Sequence, residues 1–462
     1  MIDIEGQNIC ELYRNIKRIE GVHTGASPTD AWIIFLNNVK YNNKKINKVF
    51  AKIFIDLDND KLYDYIKYTD ENLYYSLIGL EYEVEMYKTI TPLVNYNICP
   101  NFVRFIGFGK MCTHDNLFNM LNEKQHKKFD RNIKNNMLKY HTKNYGLNDA
   151  TDKNVSNSMI NDIDINIKDI KFNIILTETF ENYSSFHNLL VNNKLKKINI
   201  TNILFQALVA CYTLSLSKIA HNDLHSGNII VKRLKSPVNI VYIINDEPFI
   251  INTYYRVYLF DWDRGYCKRL GDNDSIKFLY KEFSQINTII DNKDILKLLC
   301  HVYKHDRDIK YLKCLTNKRK NMEKLLELYD NKRCNFRING ETPVDISFFS
   351  NYNKPYDIIV NFYQLMPYID MSSIAIDKKD FYIINNSFFN KEDGNINLKL
   401  MKNIFKDTYS KYKVIEKLSL QRSSYSVKKK KKSKKRKSRS RSRSISRTKS
   451  MLNKNMKNKS LF

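Results

Sequence analysis

Residues 221–230 read HNDLHSGNII, and this stretch decides how the rest of the chain is understood. One carboxylate, Asp223, stands two places after a histidine, and one side-chain amide, Asn228, follows five places later. Upstream, KINITNILFQALVACYTLSLSKIA (197–220) repeats apolar residues every three or four positions over roughly six turns, the period of a long helix. Downstream, the apolar IIV of GNIIVKR opens a strand, and after an insertion RVYLFDWDRG reads as the next one. A polar turn between a helix and a strand would have the same outline. The stretch therefore gains meaning only from partners elsewhere in the chain.

Phosphoryl transfer from ATP asks little covalent chemistry of a protein; positioning and charge neutralisation do the work. A carboxylate must orient the attacking hydroxyl, and oxygen ligands must hold magnesium against the phosphates. A lysine must grip the non-transferred phosphates, and an acid must hold that lysine. In chain order, Lys52 in VFAKIF lies on a predicted strand. Glu83 in LEYEVEMYKTI is the helix acid to pair with it, with Glu81 and Glu85 as competitors that periodicity does not separate. Asp223 is the candidate base. Asn228 and Asp261, the latter closing VYLFDWD, are the candidate magnesium ligands. Taken singly, a strand lysine or a helix acid is an ordinary solvated residue; the order and combination give the set its specificity.

The surrounding pattern is mixed. AWIIFLNNV (31–39) and KVFAKIFID (48–56) alternate as strands do, joined by KYNNKKIN, and DENLYYSLIGLEYEVEMYKTITPLV (70–94) has helical spacing. NFVRFIGFGK (101–110) and KFNIILTETF (171–180) read as two further strands, so an antiparallel sheet with one packed helix is expected. Residues 111–170, rich in Asn, Lys and Asp, read as a flexible insertion. From about 180 the pattern turns helical, with further segments at 280–306 and 356–366. Eight cysteines without a C-x-x-C pair fit reduced thiols rather than a disulfide framework or zinc site. The amino terminus has no apolar core of signal-peptide length, and no uncharged apolar run of membrane-spanning length is evident, so no membrane association is expected.

With these residues in place, the chain resembles the protein-kinase-like superfamily over residues ~15–310. The resemblance implies an α+β, two-lobed protein-kinase-like fold: an antiparallel sheet plus one helix in an N-lobe (1–178), and a mainly helical C-lobe (179–421). It implies ATP and Mg2+ as cofactors, Glu178 as a hinge position near the adenine, and Asp294 in NKDILKLL as the helix acid bracing the catalytic loop. The pattern H-N-D-L-H-x-x-N with F-D-x-D is similar to that of serine/threonine kinases of large DNA viruses. Departures from the family are specific. The phosphate loop is GVHTGASPTD, with Gly21 and Gly25 in place of a full G-x-G-x-x-G. Asp263 replaces the Gly of D-F-G, no A-P-E follows, and His225 stands where Ser/Thr kinases carry lysine. The H-x-D-L-H-x-x-N and D-W-acid elements also resemble aminoglycoside and choline kinases. His225 is open to two readings, a phosphate contact or a loop-packing residue.

The carboxyl end, VKKKKKSKKRKSRSRSRSISRTKSMLNKNMKNKSLF (427–462), cannot bury a core, and residues 422–462 are expected to be disordered. Residues 428–462 hold 17 Lys and Arg and no acid, which leaves only +11 of the net +28 for the remainder. This composition suits a nuclear-import signal, a nucleic-acid-binding arm working through phosphate contacts, or a solubilising tail, and its serines are phosphorylation candidates. The expectation is an intracellular protein serine/threonine kinase acting on a protein substrate, basic or Ser/Arg-rich, in the nucleus, a cytoplasmic virus factory or a virion. Two alternatives share its residues: a small-molecule phosphotransferase, and a catalytically inactive scaffold binding nucleic acid through the tail.

Overall fold

A computed structural model describes residues 2–3, 20–24, 32–41, 44–55, 79–113, 171–274, 291–306, 308, 310–316, 318, 320–321, 323–324, 337–338, 342–343, 351–369, 374 and 377–410. Gly25, most of the expected insertion and the basic tail lie outside them. The architecture is α+β, with antiparallel sheets and several helices.

The first sheet has six strands. β3 (Trp32–Tyr41) and β4 (Lys44–Ile55) pair antiparallel, and the pairing runs further into the expected connection than the sequence suggests, as far as Tyr41 opposite Lys44. β1 (Ile2–Asp3) runs parallel to β3, and β2 (Glu20–Thr24) pairs β3 antiparallel. On the other side β4 pairs β6 (Lys171–Glu178), which pairs β5 (Phe105–Thr113). β5 thus runs three residues into the segment expected to be an insertion. A bulge between Gly109 and Cys112 permits this: Met111 takes φ +54°, and its N–H donates to Asn173 Oδ1 at 3.1 Å.

Successive side chains of β4 alternate between faces. Val49, Ala51 and Ile53 are buried on one, and Lys52 and Phe54 point to the other. Helix α1 (Leu80–Asn95) covers that second face, burying Leu80, Val84, Met86, Tyr87 and Ile90 in one cluster with Phe54 and Ile175.

After β6 come β7 (Tyr183–Ser185), α2 (Phe186–Val191) and α3 (Lys197–Leu216). The Ser185 side chain caps α2 by accepting from Asn188 N–H. The sequence reads α3 as a helix with one apolar face. In the structure every residue from Ile200 to Leu214 is buried, the polar Asn202, Gln206 and Thr213 included, because neighbouring elements enclose the helix on all sides. Among the described residues α3 is the one helix long and apolar enough to cross a membrane, and 83% of its apolar window is buried inside the protein.

β8 (Ile219–Ala220) leads into the 221–228 loop. A long hairpin then follows: β9 (Ile229–Ile244) and β10 (Glu247–Leu259). The sequence separates these strands by an insertion, whereas the structure pairs them almost throughout. Asn245 and Asp246 make the two-residue turn with φ +48° and +69°, the left-handed pair a twisted hairpin requires. β7 and β14 (Phe381–Ile384) add to β9, and β11 (Tyr266–Cys267) pairs β8. Further elements include α4 (Lys293–His305), α5 (Lys310–Lys313), a small pair β12 (Arg337–Ile338) and β13 (Thr342–Pro343), and α6 (Pro355–Tyr363).

The long hairpin is tied to α3 by a buried polar chain. Tyr242 OH donates to Asn101 Oδ1 at 2.9 Å, and Asn101 Nδ2 donates to Val257 O at 3.0 Å and Gln206 Oε1 at 3.4 Å. Gln206 Nε2 donates in turn to Tyr255 O at 3.0 Å. Cys99, Cys211, Cys267 and Cys314 are free and buried. Cys112 and Cys300 each take part in a disulfide, which departs from the expectation of reduced thiols throughout.

Candidate active site

Three elements distant in sequence converge on Lys52. Its Nζ donates to Glu83 Oε1 at 3.3 Å and Oε2 at 3.4 Å from α1, and to Asp261 Oδ1 at 2.9 Å from the end of β10. Burial separates the three glutamates that periodicity left equal. Glu83 is 2% exposed, whereas Glu81 and Glu85 are 67% and 49% exposed and pair with Lys110 and Lys88. Burial opposes the Lys52 charge, but Asp261, Glu83 and Asp263 together outweigh it and hold its pKa well above the ordinary value. Burial pushes Glu83 up to about 7, with Lys52 pulling the other way. Asp261 is also buried, yet Lys52 holds it below the usual carboxylate range.

Asp261 itself has φ +70°, a conformation a non-glycine residue adopts only when its surroundings impose it. Those surroundings include Tyr87, whose hydroxyl accepts from Asp261 N–H at 3.3 Å. Asp263, two residues on, is pushed up to about 6 by burial and by Asp261 beside it, and its Oδ1 has no hydrogen-bond partner among the described residues.

The loop holding Asp223 is fixed from below. Asp294, in the first turn of α4, accepts His221 N–H at 2.7 Å and Asn222 N–H at 2.9 Å, the bracing expected of it. His221 Nε2 lies 3.0 Å from Phe260 O, which ties the loop to the segment carrying Asp261. Asn222 takes φ +61° to accept this geometry. The Asp223 carboxylate is met by Lys297 Nζ at 2.6 Å and Arg264 at 3.2 Å, with His225 Nε2 at 3.9 Å. Burial alone would raise Asp223; Lys297 and Arg264 outweigh it and hold the carboxyl below its ordinary range.

Asn228 Nδ2 donates to Asp223 O at 3.0 Å, which commits the amide nitrogen to the loop and presents Oδ1 as an oxygen ligand. The Asp261 carboxylate and the Asn228 Oδ1 are thus the oxygen donors this site could offer a hard cation. His225 Nδ1 accepts from Gly227 N–H at 2.9 Å, so a neutral ring carries its proton on Nε2, the nitrogen facing Asp223. Its ring lies 5.3 Å from that of His301 on α4, and burial lowers both.

Two expected positions do not join this cluster. Gly21 sits in β2 at the register shift between Glu20 and Val22. The Glu178 carboxylate pairs with Arg104 at 3.7 Å, and its backbone N–H donates to Arg104 O at 2.9 Å. Lys297, Arg264 and Tyr87 are site residues that the sequence reading missed. For Lys297 a signal was present: it stands three positions after Asp294, on the same helix face as the acid that braces the loop. No family model matches the chain, and no curated protein matches it.

Proposed function

We propose that this chain is an ATP- and magnesium-dependent phosphotransferase with a two-lobed protein-kinase-like fold, acting as a protein serine/threonine kinase. One observation carries the reading: Lys52, Glu83 and Asp261, from a strand, a helix and a loop, meet within 3.4 Å beside the braced loop of Asp223. A lysine kept charged between two carboxylates is placed to grip the α and β phosphates of ATP. Asp261 and Asn228 would hold magnesium, which bridges phosphate oxygens and neutralises their charge. Asp223, kept ionised by Lys297 and Arg264, accepts a hydrogen bond from the substrate hydroxyl and aims its oxygen at the γ-phosphate.

A small-molecule acceptor is the second reading. The observation favouring it is His225, whose Nδ1 turns back onto its own loop where the protein kinases present a lysine. The basic tail favours a protein substrate, since it suits a chain acting among nucleic acids and basic proteins.

The test is transfer of labelled γ-phosphate from Mg-ATP by the full chain, a chain ending at Arg422 and the Asp223→Asn variant. Each is given basic protein, acidic protein or no acceptor. Label on protein that disappears in the Asp223 variant supports a protein kinase, and its loss on truncation locates autophosphorylation in the tail. Magnesium-dependent ATP binding without label on any protein moves the assignment to a small acceptor or an inactive scaffold.

A further inference from the structure

Away from the Lys52 cluster, the long hairpin opens a second pocket of about 560 Å3. Its cause is a break in register. Thr253 pairs with Val238 and Tyr255 with Arg233, so Leu234 to Pro237 have only Tyr254 opposite them. The strands splay, and Tyr254 faces outward instead of joining the core as Tyr255 does. The opposite wall is β7 and the chain beyond α2, fastened where Asn182, at φ +55°, accepts Arg233 N–H at 3.0 Å.

The lining has an unusual composition. It holds three cations, Lys194, Arg233 and Lys235, and no acid. None of the three makes an ion pair among the described residues, although their neighbour Lys232 is engaged over the Phe180 ring at 5.2 Å. Two tyrosines, Tyr183 and Tyr254, are 38% and 47% exposed. They are two of only six exposed large hydrophobic side chains among the described residues, and both line this one pocket. Exposed rings beside unpaired cations match a ligand with a flat aromatic face and an anionic group, and a volume of this size accommodates a small ligand of that kind.

We propose that this pocket is a second binding site, separate from the Lys52 cluster, for a nucleotide unit: its base lies against Tyr183 or Tyr254, and its phosphate meets Lys194, Arg233 and Lys235. The nucleotide unit is either free or part of a single strand of nucleic acid. The site adds recognition to the body of the protein, independent of the basic tail.

The test uses the full chain and a single-stranded DNA 10-mer carrying one 5-bromouracil, cross-linked by light and mapped by mass spectrometry. The expected result is a cross-link in the peptides holding Tyr183 or Tyr254. Affinity should fall roughly tenfold in Tyr254→Ala and at least as far in Arg233→Glu/Lys235→Glu, the size of one lost base stack or phosphate contact. A cross-link removed by excess uridine monophosphate identifies a free nucleotide as the natural occupant; one removed only by unlabelled strand identifies nucleic acid. Cross-links confined to residues 428–462, or unchanged affinity in both variants, overturn the proposal. So does equal displacement by poly-glutamate, which would reveal a site for any polyanion. Magnesium-dependent ATP binding is followed in parallel, and its loss in the same variants would show that the pocket is not separate.

Discussion

Asp223 is held by two cations, Lys297 at 2.6 Å and Arg264 at 3.2 Å. A carboxylate so clamped stays ionised and aimed. Asp223→Asn is therefore expected to lower phosphate transfer by about 10^2- to 10^4-fold while magnesium-dependent ATP binding persists. Lys297 acts through Asp223, and pH separates this role from simple packing. With Lys297 present the folded pKa of Asp223 is depressed, so the active, ionised form survives acidification. In Lys297→Met the buried carboxylate keeps only Arg264 and the His225 side of its shell, its pKa rises, and the acid limb of kcat/KM against pH moves to higher pH. A limb that stays in place while kcat falls would reduce Lys297 to packing. Much of this site was legible at the level of single residues, because Lys52, Asp223, Asn228 and Asp261 follow one another in an order and with side-chain types that the expected chemistry requires. The three-way choice among Glu81, Glu83 and Glu85 was not. It depends on which turn of α1 faces β4, and only packing decides that. Arg264 and Tyr87 were invisible for a similar reason, since their partners arrive from distant segments.

At the scale of elements, the site is a set of joints. Asp294 belongs to α4 yet serves the 221–228 loop, accepting two of its backbone N–H groups. Asp294→Ala leaves both donors buried without a partner, at a cost of about 2–4 kcal/mol, and lets the loop move off Asp223. The expected outcome is a lower Tm with a fall in kcat larger than any change in KM for ATP; Asp294→Asn, which retains one acceptor, should fall between. Equal kcat in all three proteins would show that the loop holds its shape unaided. The helix and the loop were each apparent in the sequence through apolar period and polar punctuation. The hairpin was only half legible: IIVKR and RVYLF read as strands, but the stretch between them did not. Its turn signal, Asn245-Asp246, lacks the glycine that usually announces a two-residue turn, and the end of β9, Ile240–Ile244, is a continuous buried run paired with β14 rather than an alternating one. In the same way α3 shows water no polar face, because its Asn202 and Gln206 donate to Asn252 O and Tyr255 O of β10 in a neighbourhood that surrounds the helix.

Across the whole molecule, one apolar cluster runs from α1 into α3, the long hairpin and Trp262, and a few polar contacts fix the registration within it. Lys52 reaches Asp261, Tyr87 holds the Asp261 N–H, and Tyr82 forms a third link. The Tyr82 hydroxyl accepts from Cys267 N–H at 2.9 Å and donates to Gly271 O at 2.9 Å, joining the first turn of α1 to the segment after Asp261. Tyr82 and Glu83 are adjacent, so this link sets where the start of α1, and hence the acid on Lys52, sits relative to Asp261. Tyr82→Phe removes the link without changing ring volume. It is expected to cost about 1–3 kcal/mol in stability, read as a lower Tm, because Cys267 N–H and Gly271 O lose their partner. The sharper consequence concerns rate. If Tyr82 acts by positioning Glu83, then Tyr82→Phe lowers transfer strongly in the native chain and little in a Glu83→Gln background, where the acid is already gone. A double-mutant cycle on kcat/KM measures this, and the coupling energy should lie in the range of about 0.5–3 kcal/mol seen for contacting residues. Losses that simply add would mean that Tyr82 ties the two parts together without governing the lysine between them.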